Sequence, residues 1–199
     1  MSPFSSVPGD VDIRPALRSR VLEPFPKGED VAVVEELGIC RGQVRVDLAV
    51  VNGRLDGYEI KSDRDSLRRL EGQVGFYGKV LDRATLVVGE RHLTEAAERL
   101  PAWWGILRVD PALGQPHFEE VRQGEPNPGR DPRALAELLW LEEAVALLEA
   151  HGAARGVRGK PRRVVWDRIC ESCDIDEIGR TVRDRLRARA ALRAVPPPT

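Results

Sequence analysis

Asp47, Glu59 and Lys61 are the residues of this chain whose types and spacing most readily do chemistry. Asp47 lies in Val-Arg-Val-Asp-Leu-Ala-Val-Val (44–51), between Val46 and Leu48, where a charge needs a partner. Glu59 and Lys61 belong to Tyr-Glu-Ile-Lys (58–61). Side chains alternate across a strand, so these two share a face while Ile60 takes the other. Two carboxylates and an ammonium gathered on a hairpin between apolar flanks make a candidate metal site.

The elements that must position them follow from local pattern. Residues 44–51 are alternating and rich in β-branched side chains, which reads as a strand. Asn52-Gly53 is the strongest short-range turn signal, because both residues tolerate positive φ. Residues 58–62 return as the second strand. Upstream, Asp10 or Asp12 can cap a helix over 13–25, with Ile13, Leu17 and Val21 as its apolar stripe. Residues 31–39 read as a strand carrying Glu35-Glu36, so three strands close in sequence form an antiparallel meander. Downstream, Asp65 or Ser66 can cap a helix running to about residue 82. Its Gly72, Gly75 and Gly78 strip one edge for close approach of the sheet or of a ligand backbone, the sheet being favoured. The run 84–89 is a buried central strand. A helix from 94 to 101, strands at 103–109 and 117–121, and a Pro/Gly loop at 123–130 follow. Asp131-Pro132 then opens a helix to about 150, with Asp as N-cap and Pro at N1. Helices at 162–171 and 176–194 close the chain before a proline tail.

Length and composition bound the class. At 199 residues and 42% hydrophobic content the chain makes one domain, or one domain with a helical appendage. No apolar run approaches the roughly 20 residues of a membrane helix, and residues 1–10 lack the basic and apolar regions of a signal peptide. Three cysteines form no disulfide framework, so a reducing cytoplasm is expected. Twelve Arg/Lys against six Asp/Glu give residues 151–199 a local charge of +6, leaving −7 on residues 1–150. Such an acidic body and basic tail suit cations in the first and an anion at the second.

Helix, three-strand meander, helix, strand, with Asp47 and Glu59-x-Lys61 on the meander, resembles the PD-(D/E)XK nuclease superfamily. The resemblance covers about residues 13–89 and implies a restriction-endonuclease-like α+β core (α-β-β-β-α-β, a mixed sheet flanked by helices). Val46 stands where many members have proline. The likeness implies that Asp47, Glu59 and the Ile60 carbonyl bind Mg²⁺ or Mn²⁺, and that Lys61 orients water or steadies phosphate charge. Such an ion takes hard oxygen ligands and keeps several waters, and a lysine beside it is a compact point charge.

Gln73 and Tyr77, four apart on the next helix, resemble the Gln-x-x-x-Tyr motif of RecB-like branches. Glu36, with Glu35 the alternative, resembles an accessory acid placed ahead of the Asp. The Gly42, Arg45, Asp47 run and Gly-Tyr-Glu-Ile-Lys-Ser-Asp-Arg-Asp (57–65) are most similar to small, largely uncharacterised bacterial proteins near the MmcB-like DNA-repair proteins.

The expectation is a metal-dependent deoxyribonuclease serving DNA repair, processing or defence. Residues 1–122 form its core, and 131–195 form a basic helical region. RNA stays open as a substrate, and a homodimer or protein partner is left open. The rival expectation is a non-catalytic DNA- or partner-binding protein on the same fold. Arg45, Ser62, Arg162, Arg163, Arg183 and Arg187 are the candidate nucleic-acid contacts. The last two helices can form a helix-turn-helix-like reader or, as favoured here, a cap packed on the core. Cys170-x-x-Cys173 lacks a matching ligand pair for four-coordinate zinc, so helical, half-buried cysteines are expected. Trp103 and Trp104 read as core or interface.

Overall fold

The chain turns at Asn52-Gly53 more tightly than the spacing suggests. In the computed structural model, which describes residues 10–26, 29–110 and 116–194, Val51 pairs with Leu55 across a three-residue loop. The returning strand therefore starts at Leu55, which is buried, and only Gly53 of the Asn-Gly pair takes a positive φ (93°). The proline tail and residues 1–9 of the N-terminal reading lie outside the described residues.

The elements are α1 (Asp10–Leu22), β1 (Ala32–Ile39), β2 (Val44–Val51), β3 (Leu55–Lys61), α2 (Leu70–Tyr77), β4 (Arg83–Gly89), α3 (Leu93–Arg99), β5 (Gly105–Asp110) and β6 (His117–Arg122). Helices α4 (Pro132–Ala136), α5 (Leu141–Ala150), α6 (Arg162–Ser172) and α7 (Ile175–Ala194) complete the chain. The six strands form one mixed sheet in sequence order, parallel at β3–β4 and β4–β5 and antiparallel elsewhere. On one face α1 buries Ile13, Leu17 and Val21 against Leu48, Val50, Ile60 and Val87. The other face carries α2, α3 and the C-terminal helices.

A single apolar cluster runs from Val46, Leu81 and Leu86 of the sheet side into Leu135, Ile169, Ile178, Val182 and Leu186. Residues 131–194 are thus a cap sharing the core rather than a separate domain. Helix α7 lies along β1, with Ile178, Val182 and Leu186 in that shared cluster. The loop before the cap is clipped down. Asn127 donates to the carbonyls of Gly78 and Leu81 (both 2.7 Å), and Asp82 accepts from Arg130 (2.6 Å).

The helix expected over 131–150 is two helices. Asp131 caps α4 through the Ala134 N–H (2.9 Å), then tighter i→i+3 bonds at Leu138 and Leu139 interrupt it. Both leucines are buried. Similarly, the helix expected to 82 is a 3₁₀ turn (Leu67–Arg69) capped by Ser66, followed by the shorter α2.

Gly105 shows how closely β5 meets the loop after β6. A Cβ there would stand 2.9 Å from the Gly124 nitrogen and 3.1 Å from its Cα. Backbone cannot yield as a side-chain tip can, so Gly105→Ala is expected to cost about 1–3 kcal/mol of stability. A urea midpoint lowered at unchanged slope is the check.

Candidate active-site cleft

The cleft begins where two strands part company. The β2–β3 ladder stops at Leu48–Tyr58, and from Glu59 onward β3 pairs only with β4. Asp47 bridges the fork with its side chain, whose Oδ2 accepts from the Ile60 N–H at 2.7 Å.

A change of phase in the neighbouring strands accompanies the fork. Along β1, Ala32 and Val34 pack with the larger cluster and Val33 with the smaller, yet beyond Glu36 it is Leu37 and Ile39 that join the larger. Along β2, Val44 and Val46 join the larger cluster, Leu48 and Val50 the smaller, and Ala49 and Val51 the larger. Both strands slip by one face at the same level. Glu36 absorbs the slip with a left-handed φ of 53°, a conformation costing about 1–3 kcal/mol for a residue with a Cβ. It sits between the pairs Glu35–Leu48 and Leu37–Val46, across from Asp47.

Glu59 is the hub. It is 1% exposed and Lys61 6% exposed, and the two are ion-paired. Glu59 Oε1 also accepts from Gln73 Nε2 (2.5 Å), and the Tyr77 hydroxyl donates to Oε2. That hydroxyl lies 2.9 Å from the Arg45 carbonyl as well. Burial, then the Glu59 carboxylate, push the Tyr77 phenol well above its ordinary pKa, so it is a neutral donor at any working pH. Its ring stacks on fully buried Trp104 (centroids 5.5 Å apart), placing that tryptophan in the core as expected.

The cleft is about 480 Å³ in volume, and its walls include Glu36, Arg45, Asp47, Glu59, Lys61 and Gln73. Asp65, Arg69 and Ile60 line it too. The Ile60 side chain belongs to the opposite cluster, so it is the Ile60 backbone that faces the cleft. Among the described residues, Gln73 Oε1 is buried without a hydrogen-bond partner.

Arg14 of α1 is the residue the sequence reading missed. It donates to Glu36 Oε1 at 2.6 Å and to the Asp47 carbonyl at 3.1 Å, and stands 3.6 Å from Asp47 Oδ1. Its signal was available: a charge beside Ile13 and one turn before Leu17 sits at the edge of a buried stripe. Glu35 instead pairs with Arg18 at the surface (3.2 Å).

Several nucleic-acid candidates prove to be engaged elsewhere. Ser62 is buried, with its hydroxyl on Asp65 (2.6 Å). Arg183 reaches Asp82 (3.4 Å), and Arg187 reaches Asp30 (2.9 Å) and Asp184 (2.6 Å); both are mostly buried. They hold the cap to the core, because a guanidinium leaving water takes the nearest carboxylate. Arg162 and Arg163 are exposed at the start of α6, away from the cleft lining. Arg45 is exposed at the cleft itself.

The glycine edge of α2 does not pack on the sheet. A Cβ at Gly72 or Gly75 would meet nothing within 4 Å. Each change to alanine is expected to stabilise the protein by roughly 1 kcal/mol, readable by thermal or urea unfolding.

Fold and cleft together define a mixed-sheet α/β protein with a buried Glu–Lys pair beside a forked strand. The chain belongs to the bacteriophage P4 protein cII family, which matches it over residues 17–192. Protein cII of Enterobacteria phage P4 is 30% identical over 102 residues, which are 50% of this chain and 39% of that protein. The chain thus spans well under half the length of that relative. A solved structure of a protein of unknown function from Silicibacter pomeroyi, 23% identical, covers 81% of this chain and 97% of its own at a TM-score of 0.42. Among the described residues no helix is long and apolar enough to cross a membrane.

Proposed function

We propose that this protein is a metal-dependent nuclease or nuclease-like protein with a PD-(D/E)XK core, acting on DNA phosphodiester bonds in repair, processing or defence. The observation that carries the reading is convergence on Glu59. Lys61, Gln73 and Tyr77 reach one buried carboxylate at the fork bridged by Asp47. The element order and the parallel β3–β4 pair suit that core.

The donor set fits Mg²⁺ or Mn²⁺: the Asp47 and Glu59 carboxylates and the Ile60 carbonyl are all hard oxygens. Partnerless Gln73 Oε1 adds an acceptor for water at the same wall. When bound, the ion polarises a phosphate and lowers the pKa of its water. Lys61, fixed by Glu59, carries the positive charge that meets the attacking water or the phosphate. Tyr77 holds Glu59 as a neutral donor. Exposed Arg45 and Arg69 would take flanking phosphates, an affinity that falls with salt.

One observation favours a second reading. Arg14 already faces Glu36 and Asp47, and Lys61 already faces Glu59, so the cleft's acids have internal cations. A non-catalytic nucleic-acid-binding protein would keep this arrangement without metal.

The test is a panel of linear, circular, single-stranded and branched DNAs, with an RNA arm, assayed with Mg²⁺, Mn²⁺ or EDTA. Metal-dependent cutting establishes the nuclease and names its substrate form. Binding with no cutting of any member, in any metal, selects the second reading.

A further inference from the structure

The ends of three cap helices gather a donor set that residue spacing did not suggest. His151 follows α5, Cys173 follows α6 and Glu177 lies in the first turn of α7. One ligand atom from each lies within 4.8 Å of the others.

Two of the three side chains are aimed from behind. His151 Nδ1 is 2.9 Å from the Leu147 carbonyl, which can only accept, so Nδ1 carries the proton and Nε2 is the free ring nitrogen. Glu177 Oε2 accepts from the Asp174 N–H (3.2 Å), which leaves Oε1 facing His151 Nε2 at 3.1 Å. Asp174 itself is spent on the N–H groups of Asp176 and Glu177 (2.9 and 2.8 Å), so it sets the turn rather than adding a ligand.

Two lone pairs facing at that distance need a cation between them, either a proton or a metal. A proton gives an ordinary His–Glu ion pair and leaves the neighbouring thiol without a role. We propose that His151, Cys173 and Glu177 form a site for Zn²⁺ or a similar borderline transition metal, with the fourth position left to water. Zn–N and Zn–O bonds of about 2.0–2.2 Å across a tetrahedral angle separate N and O by about 3.3 Å, close to the spacing present. The thiolate selects against Mg²⁺ and Ca²⁺, which take oxygen. The ion would tie the ends of α5 and α6 to the start of α7, so it stabilises the cap by mass action.

Co²⁺ titration of the full chain tests this, because a thiolate–cobalt bond gives a near-ultraviolet charge-transfer band. The band is expected to saturate at one ion, to vanish in Cys173→Ser and to persist in Cys170→Ser and Asp47→Asn. In His151→Asn and Glu177→Gln the dissociation constant should rise at least about tenfold. Zn²⁺ should raise the melting temperature of the wild type but not of Cys173→Ser. No thiolate band at saturating Co²⁺, or a band surviving Cys173→Ser, overturns the proposal. Glu177→Gln, which keeps the Asp174 cap, decides the matter should Cys173→Ser fail to fold: undiminished cobalt affinity there overturns it equally.

Discussion

Lys61→Met is expected to lower the unfolding free energy by about 3–5 kcal/mol, the cost of leaving a buried charge without its counterion. Glu59 is 1% exposed, and without Lys61 its carboxylate keeps only the neutral donors Gln73 and Tyr77. The double variant Lys61→Met/Glu59→Gln should recover most of that loss, because it removes both charges at similar volume. Urea unfolding of the wild type, both single variants and the double variant gives the coupling directly. A single-variant loss under about 1 kcal/mol would mean that the pair is no buried ion pair. Stability and activity then separate. The double variant folds, yet under the proposed function it cuts nothing, since it lacks both the carboxylate and the ammonium.

Asp47 is expected to split in the same way through a different atom. Asp47→Ala removes the acceptor of the Ile60 N–H at the fork and should cost about 1–3 kcal/mol. Asp47→Asn keeps an acceptor there and should be near neutral. Both remove an anionic oxygen ligand, so under the proposed function both lose cleavage by on the order of 10²–10³-fold and weaken Mn²⁺ binding measured by calorimetry. A non-catalytic binder would respond oppositely: Asp47→Asn would hold nucleic acid as tightly as the wild type, or tighter, for want of one negative charge. Nucleic-acid affinity and divalent affinity measured on this one stable variant therefore separate the two readings.

The sequence by itself determined what depends on short spacing. The β-branched run over residues 44–51 and the Asn-Gly signal specify the β2–β3 hairpin, because strand propensity and turn chemistry act between near neighbours. Side-chain direction on a strand has period two, which puts Glu59 and Lys61 on one face, and helical period puts Gln73 and Tyr77 on another that meets them. The Asp131-Pro132 start of α4 was legible for a comparably local reason, since a cap and a fixed φ act within one turn.

Tertiary structure alone decided what depends on competition among distant partners. The slip of face at Glu36 and Asp47 involves two strands at once, so neither strand's pattern announces it. Arg14 joins the site because α1 crosses β2 there, and Arg183 leaves it because Asp82 lies within reach. His151, Cys173 and Glu177 meet only when three helices dock end to end. In each case the deciding free energy, whether burial of an apolar face or neutralisation of a charge leaving water, is gained between residues far apart in the chain.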